Sequence, residues 1–357
     1  MKSNSFTRLL IHWHLNHNKR EMPWKGVKDP YKIWLSEIIL QQTRVEQGWA
    51  YYEKFIAKYP TIKHLAKAND EDAFKLWEGL GYYNRCKNLL FTARFIAEKY
   101  NGIFPASFEE IVALKGVGPY TASAIASFAY NLPHAVVDGN VFRVLARTFN
   151  ISTPTDSTEG KKIFSDTATE MLDKKEPGLY NQAIMDFGAT VCKPVAPLCN
   201  SCSIKKICKA FDAGIVNELP VKEKVLLKKN RWFYFFIFLC DDKVLIHKRT
   251  QKDIWENLFD FYLLESTEAI HWTDIAVKIF LKEQLGIVKF TLKNISAVEK
   301  QQLTHQQIKG QFITIELPTL PHSLVKHQWH IAAKINELAF PKFITRYLQE
   351  NNNVLLP

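Results

Sequence analysis

Four of the six cysteines fall within seventeen residues, in the stretch VCKPVAPLCNSCSIKKICKA from Val191 to Ala210, spaced Cys192-x6-Cys199-x2-Cys202-x5-Cys208. Cys86 and Cys240 stand far away. Thiolates at that density repel one another unless a cation neutralises them, so a metal centre is the reading that satisfies all four. A disulfide framework fits poorly. The opening residues, MKSNSFTRLLIHWHLNHNKR, are polar and lack an apolar core followed by a small-residue cleavage site, so no signal peptide is expected. Zinc usually takes two separated knuckles, whereas one uninterrupted cysteine run suits a compact iron–sulfur cube. One iron–sulfur cluster is therefore expected on Cys192, Cys199, Cys202 and Cys208, with zinc as the alternative. The pattern points to a cofactor and leaves its purpose open.

The chain of 357 residues is long enough for two domains, each with its own core. No uninterrupted apolar run approaches a membrane span. The longest candidate, WFYFFIFLC, is strand-length and aromatic, so no membrane partner is expected. Reduced cysteines without a targeting segment imply a cytoplasmic protein. A net charge of +11 with a pI near 9.2 suggests a polyanionic partner; a generic basic surface is the alternative.

The first two hundred residues read as helices joined by short turns. The stretch from Asp29 to Pro60 has apolar positions at helical spacing, with prolines near both ends. Beyond the cysteines the character changes: LPVKEKVLLKKNR is a basic connector without glycine. WFYFFIFLCDDKVLIHKRT then reads as two strands about an Asp-Asp turn, and KGQFITIELP as a third. The expected organisation is an all-α region followed by an α+β domain. One helical module comprises residues 1–28 and 136–213, another 29–135, with a linker at 214–230 and the final domain at 231–350.

Three stretches carry chemistry. In LKGVGPYTASAIASFAY, Gly116 and Gly118 flank one apolar residue in a tight hairpin, and Pro119 suits the first turn of a helix. Exposed amides there would seat a phosphate without reading sequence; a plain helix–turn–helix corner is the alternative. Glu37 shares a helical face with Ile33, Trp34, Leu40 and Gln41. A carboxyl on so apolar a face loses solvation, so its pKa should rise and leave it a proton donor near neutral pH, unless it is simply a hydrogen-bonded structural glutamate. Asp138 follows two valines and precedes a helix, where an N-cap is the plain reading and amide donors would keep it ionised.

The hairpin, the VVDGNVFRVLAR segment about twenty residues later and the cysteine spacing together resemble the helix-hairpin-helix DNA glycosylase superfamily. WLSEIILQQTRV and GLGYYNRCKNL resemble its MutY-type adenine glycosylases, the match running from about Pro23 to Cys208. The resemblance implies one [4Fe-4S] cluster and a catalytic set of Glu37, Asp138 and Tyr120. It places Trp24, Lys25 and Gln182 around an extruded adenine, and Gln41, Gln42 and Tyr82 as wedges in the duplex. It implies DNA contacts at Gly116 and Gly118, and at Lys205 and Lys206 in the cysteine loop. Glu37 would protonate adenine at N7 while Asp138 stabilises the sugar cation. Endonuclease III-like relatives place a lysine where Tyr120 stands, and tyrosine forms no imine with the sugar, so a monofunctional glycosylase is implied.

The C-terminal region resembles the MutT-like, Nudix-type domain of those glycosylases, with LTHQQI similar to the loop that senses 8-oxoguanine. Thr304 and His305 are the sensing candidates, although Leu303 and Thr304 replace the aromatic and serine of that pattern. FLKEQLGI keeps Glu283 and Gly286 but has Phe280 and Gln284 at other required carboxylate positions, so Nudix hydrolysis is not expected. The implied partner is double-stranded DNA containing adenine opposite 8-oxoguanine or guanine, bound by a monomer on the bacterial nucleoid. The rivals are a bifunctional endonuclease III-like enzyme and a non-catalytic iron–sulfur DNA-binding protein.

Overall fold

In the computed structural model the described residues are 2–223 and 229–351; residues 224–228, within the expected linker, lie outside them. The helices run in the order α1 (Lys2–His17), α2 (Pro30–Leu40), α3 (Val45–Lys58), α4 (Ile62–Ala66), α5 (Asp70–Trp77) and α6 (Asn84–Lys99). They continue with α7 (Phe108–Val112), α8 (Pro119–Tyr130), α9 (Gly139–Phe149), α10 (Thr158–Met171), α11 (Pro177–Thr190) and α12 (Lys209–Asp212). Their ends follow local rules. Asp29 caps α2 by accepting the Tyr31 amide, with Pro30 at the first helical position. Asn69 caps α5, whose first turn carries Asp70, Glu71 and Asp72 against the positive end of the helix dipole. Asn131 and Asn150 end α8 and α9 in the left-handed conformation.

The apolar stretch from Asp29 to Pro60 forms two helices, not one. The chain turns at Gln41–Arg44 with Gln42 at φ +57°, although neither glycine nor proline marks the break. Gly48 eases it: a Cβ there would stand 2.8 Å from the tip of the Leu40 side chain, which would have to shift as α3 folds back over the end of α2.

The chain divides into two compact units. One is Met1–Ala68 with Lys87–Val225; the other is Asn69–Cys86 with Leu226–Pro357. In the first, α2 packs on α8 and α11 packs on α1, α8 and α9. A core of Phe6, Leu10, Val144, Phe164, Tyr180 and Phe187 lies beneath the last three elements, and all four loop cysteines rest against it.

The second unit holds β1 (Lys229–Cys240), β2 (Lys243–Leu245), β3 (His247–Lys248), β4 (Phe259–Asp260) and β5 (Tyr262–Ser266), then α13 (Asp274–Leu285), β6 (Thr291–Ile295), β7 (Glu299–Gln302), β8 (Gln306–Glu316), β9 (Trp329–Ile331) and α14 (Lys342–Glu350). The large sheet runs β6-β8-β1-β2-β9, with β5 also on β1 and β7 also on β8. Among the described residues only β1 and β8 are parallel, in register from Lys229↔Gln306 to Leu239↔Glu316. Covered on both faces, β1 reads as a continuous apolar run. Tyr234, Phe236 and Phe238 pack with Val277 and Leu281 of α13, while Phe235 and Phe312 stack with Phe343 of α14 on the other face. Lys75 and Glu78 hold α5 to this unit: the Lys75 ammonium donates to the Leu338 carbonyl (3.0 Å) and Glu78 accepts the Phe340 amide (2.8 Å).

Gly188 sets the spacing of α11 against the start of α9. A Cβ there would lie 2.7 Å from Asn140 Cβ and 2.9 Å from its carbonyl oxygen. Backbone cannot yield as a flexible side chain does, so Gly188→Ala should destabilise the protein by about 1–3 kcal/mol. Thermal unfolding measured beside the parent would register this as a melting temperature lower by several degrees.

Candidate functional site: a carboxylate pair in a helical cleft

One face of the first unit carries a cleft of about 1170 Å³, lined by residues of α2, α8, α9 and α11 and by the segment between α1 and α2. Glu37 stands on its wall, buried among Ile33, Trp34 and Ile38 of α2. Loss of solvation pushes its carboxyl up to about 7. The Tyr120 hydroxyl hydrogen-bonds it and opposes that rise, while the negative charge of Asp138 adds to it. A group in that range holds its proton at neutral pH and can also take one back. Tyr120, the second residue of α8, is itself held well above its ordinary pKa by burial and by both carboxylates, so it acts as a donor.

Asp138 faces the same cleft and caps α9. Its Oδ1 accepts the amides of Asn140 (2.9 Å) and Val141 (2.8 Å), and its Oδ2 accepts the Asn140 side-chain amide (2.8 Å). The amide donors expected from sequence are present, but their net effect is smaller than expected. Burial raises the Asp138 pKa above the ordinary aspartate value, and the three hydrogen bonds with nearby Arg143 only hold that rise back.

A line of polar contacts joins this cap to the cysteine loop. Arg143 donates to the Asn140 side-chain oxygen (2.8 Å), to the Gly188 carbonyl (2.6 Å) and to the Cys192 carbonyl (2.7 Å). One turn later Arg147, almost wholly buried, reaches the Lys193 carbonyl (2.7 Å) and Cys192 Sγ (3.5 Å). Among the described residues no three His, Cys, Asp or Glu side chains converge tightly enough to hold one metal ion. The four thiols nevertheless face a common space. Burial pushes Cys202 up to about 11, and Cys192, Cys208 and Cys199 all lie near enough to push it further. An all-thiol donor set of that spread, beside two buried guanidinium groups, fits a polynuclear cluster.

Trp24, Lys25 and Gln182 also line the cleft, as do Gln41 and Gln42. The Trp24 ring is buried, edge-on to Tyr52 at 5.2 Å. Gln41 donates to Thr121 (3.4 Å), whereas Gln42 is exposed in the left-handed region. Lys25 is tied to the Arg20 carbonyl (2.8 Å) and to Asp186 (3.1 Å).

The remaining candidates lie elsewhere. Gly116, at φ +81°, and Gly118, the N-cap of α8, form the hairpin between α7 and α8. Lys206 is exposed in the cysteine loop, while Lys205 lies over the Phe211 ring at 4.7 Å and is the less available of the two. In the second unit, Thr304 and His305 form the tip of the β7–β8 hairpin. The Thr304 hydroxyl is hydrogen-bonded to the hydroxyl of Tyr82, so these two candidates form one surface. Tyr82 is exposed at φ +48°, with Arg85 packed between its ring (5.4 Å) and that of Trp77 (5.2 Å). Glu283 is exposed on α13 with no gathered carboxylates around it.

Sequence reasoning missed several residues that build these sites. Asn140, Arg143 and Arg147 follow Asp138 at helical spacing, a signal that was present in VVDGNVFRVLAR. Arg231 had no such signal. It is buried, holds Asp253 and Glu265 through paired short hydrogen bonds, and reaches Gln306 (3.1 Å), the first residue of β8 beside the tip of the β7–β8 hairpin. Asp186 was missed because its partners are 161 to 172 residues away in the chain.

Known proteins agree with this architecture. The HhH-GPD superfamily base excision DNA repair protein family matches residues 35–165, and the NUDIX domain family matches residues 233–350. The adenine DNA glycosylase of Buchnera aphidicola (subsp. Acyrthosiphon pisum) is 36% identical over 270 residues, covering 75% of this chain and 77% of that protein. That of Rattus norvegicus is 43% identical over 229 residues, 60% of this chain and 44% of its own. Among solved structures, a thermostable thymine-DNA glycosylase superposes with a TM-score of 0.55 at 29% identity, covering 59% of this chain and 97% of its own. A non-covalent endonuclease III–DNA complex gives 0.52 at 21% identity, over 60% and 99%, a likeness of fold. By its likeness to the Buchnera protein over most of both sequences, the chain belongs to the adenine DNA glycosylase family.

Proposed function

We propose that this protein hydrolyses the N-glycosidic bond of adenine mispaired with 8-oxoguanine or guanine in duplex DNA, as a monofunctional glycosylase of base excision repair. The observation that carries the proposal is the Glu37–Tyr120–Asp138 constellation in one cleft, with Glu37 protonated near neutrality and a second carboxylate beside it. Glu37 donates its proton to N7 of the extruded base. As the C1′–N9 bond breaks, its electron pair leaves with the adenine, and Asp138 faces the cationic sugar. Glu37, now ionised, takes a proton from the water that adds to C1′. Tyr120 holds the Glu37 carboxyl in place and supplies no amine for strand cleavage. Trp24, Lys25 and Gln182 surround the base, and the division of the helical region at residues 28/29 and 135/136 belongs to the same reading.

Extruding a base costs a few kcal/mol, which wedge residues offset by filling the space left behind. Gln42 and Tyr82 suit that role: both are exposed and both have left-handed backbone, the kind of strain found where a side chain must be aimed outward. Gly116 and Gly118 offer backbone amides to phosphate, and Lys206 with Lys205 offers charge. Thr304 and His305 read the lesion, with the Tyr82 hydroxyl as the partner that fixes the Thr304 hydroxyl.

Cys192, Cys199, Cys202 and Cys208 would hold one [4Fe-4S] cluster, which when bound pins the ends of the lysine-bearing loop and takes no part in hydrolysis. About four irons per chain in anaerobically purified protein supports this; stoichiometric zinc without iron contradicts it.

The decisive experiment for the chemistry is single-turnover excision from duplexes carrying adenine opposite 8-oxoguanine. Because the donor is the protonated carboxyl, kcat/KM should fall as pH rises through about 7. Glu37→Gln should still bind the duplex and lose excision by several orders of magnitude. Near-normal excision by that variant contradicts the assignment.

Lesion reading has its own test. Thr304→Val keeps the volume and removes the hydroxyl shared with Tyr82. Its affinity for the 8-oxoguanine duplex relative to the guanine duplex, at one fixed salt concentration, should drop by about 1–3 kcal/mol. An unchanged ratio assigns lesion reading to other residues.

A further inference from the structure

Asp186 is a wholly buried carboxylate behind the cleft-lining residues Arg20 and Lys25, and more partners converge on it than a structural ion pair requires. On α11 it lies one turn beyond Gln182. Its Oδ1 accepts Arg20 (2.9 Å), its Oδ2 accepts the Asn18 amide (2.7 Å), and Lys25 stands 3.1 Å away. His14 is 4.0 Å distant, but burial and then Lys25 lower its pKa, so it adds no charge near neutral pH. Both cations are about a quarter exposed and both line the cleft.

The arrangement raises a physical problem. Two cations lining a cleft on a protein of net charge +11 would attract phosphate, the commonest anion on a duplex. Yet the cleft, on the reading above, must take in an uncharged purine. A single carboxylate placed behind both cations resolves this. It pairs with both the guanidinium and the ammonium group, and that charge pairing competes with phosphate for each.

We propose that Asp186 is a positioning residue: it holds Arg20 and Lys25 at the cleft wall so that they line a base pocket and do not bind the DNA backbone. This rests on the glycosylase reading, which wild-type excision of adenine tests independently. Asp186 does not touch the base; it acts through Lys25 and Arg20.

The test is the salt dependence of binding to an undamaged duplex, where no base is excised. In Asp186→Asn the freed cations should find phosphates. The slope of log affinity against log salt should steepen by about 0.9 per cation released, with tighter binding at low salt. Excision should move in the opposite direction, falling on the order of tenfold to a hundredfold as the pocket loses its geometry. A merely structural residue would weaken both together. Adding Lys25→Met to Asp186→Asn should return the slope toward the parent value. Lys25→Met in the otherwise intact protein keeps the proposal testable should Asp186→Asn fold poorly. It should leave the slope unchanged, because Lys25 makes no phosphate contact while Asp186 holds it. An unchanged slope in a folded Asp186→Asn, or a slope shallower by about one in Lys25→Met, overturns the proposal.

Discussion

A carboxyl group taken out of water is the constraint on which the rest of this molecule depends. Glu37 lies on α2 among Ile33, Trp34 and Ile38, and only burial that thorough holds its pKa near 7. Burial costs stability unless the group keeps its proton or finds a partner. Burial keeps the proton on Glu37, and the Tyr120 hydroxyl at the start of α8 is its hydrogen-bond partner. That contact requires α2 and α8 to pack face to face, with Pro119 starting α8 immediately after the hairpin. The proposed proton donor and the proposed phosphate seat are thus set by the same two-helix contact.

The partner carboxylate depends on a different support. Asp138 is fixed by its own helix cap, and the cap is fixed by Asn140 and Arg143, which tie it to α11 and to the Cys192 carbonyl. The close approach at Gly188 makes those bonds reachable. A cysteine loop far from Glu37 in sequence therefore shares a mechanical connection with the carboxylate next to it. This gives the proposed cluster a mechanical role beside a hydrolysis that needs no electrons. In the second unit the same economy recurs, with buried Arg231 holding Gln306, the residue next to the hairpin tip that carries Thr304 and His305.

Much of this was legible in the chain. The cysteine spacing, the Gly-Val-Gly-Pro turn and the apolar face around Glu37 are local patterns, and local patterns obey helix periodicity and capping rules. The two carboxylates proposed as catalytic, the Tyr120 position and the fold class follow from them and from family resemblance. The close approach of Gly48 to the Leu40 side chain, where α3 turns back over α2, was not legible, because no local pattern marks it. Nor could the net balance at Asp138 be read, since burial and amide donation oppose each other and only the packed cleft sets their sizes. Asp186, Arg231 and the Tyr82–Thr304 contact escaped for one reason: each joins residues far apart in sequence, and periodicity carries no information about such pairs.

The claim that a single buried carboxyl retains its proton can be measured directly. Difference infrared spectroscopy of the protein against its Glu37→Gln variant isolates the carbonyl stretch of that one group across a pH titration. The protonated band should persist through mildly acidic pH and disappear with a midpoint of about 7. A midpoint in the ordinary glutamate range, near 4.5, would mean that Glu37 is ionised at working pH and would remove the proton donor from the proposed mechanism.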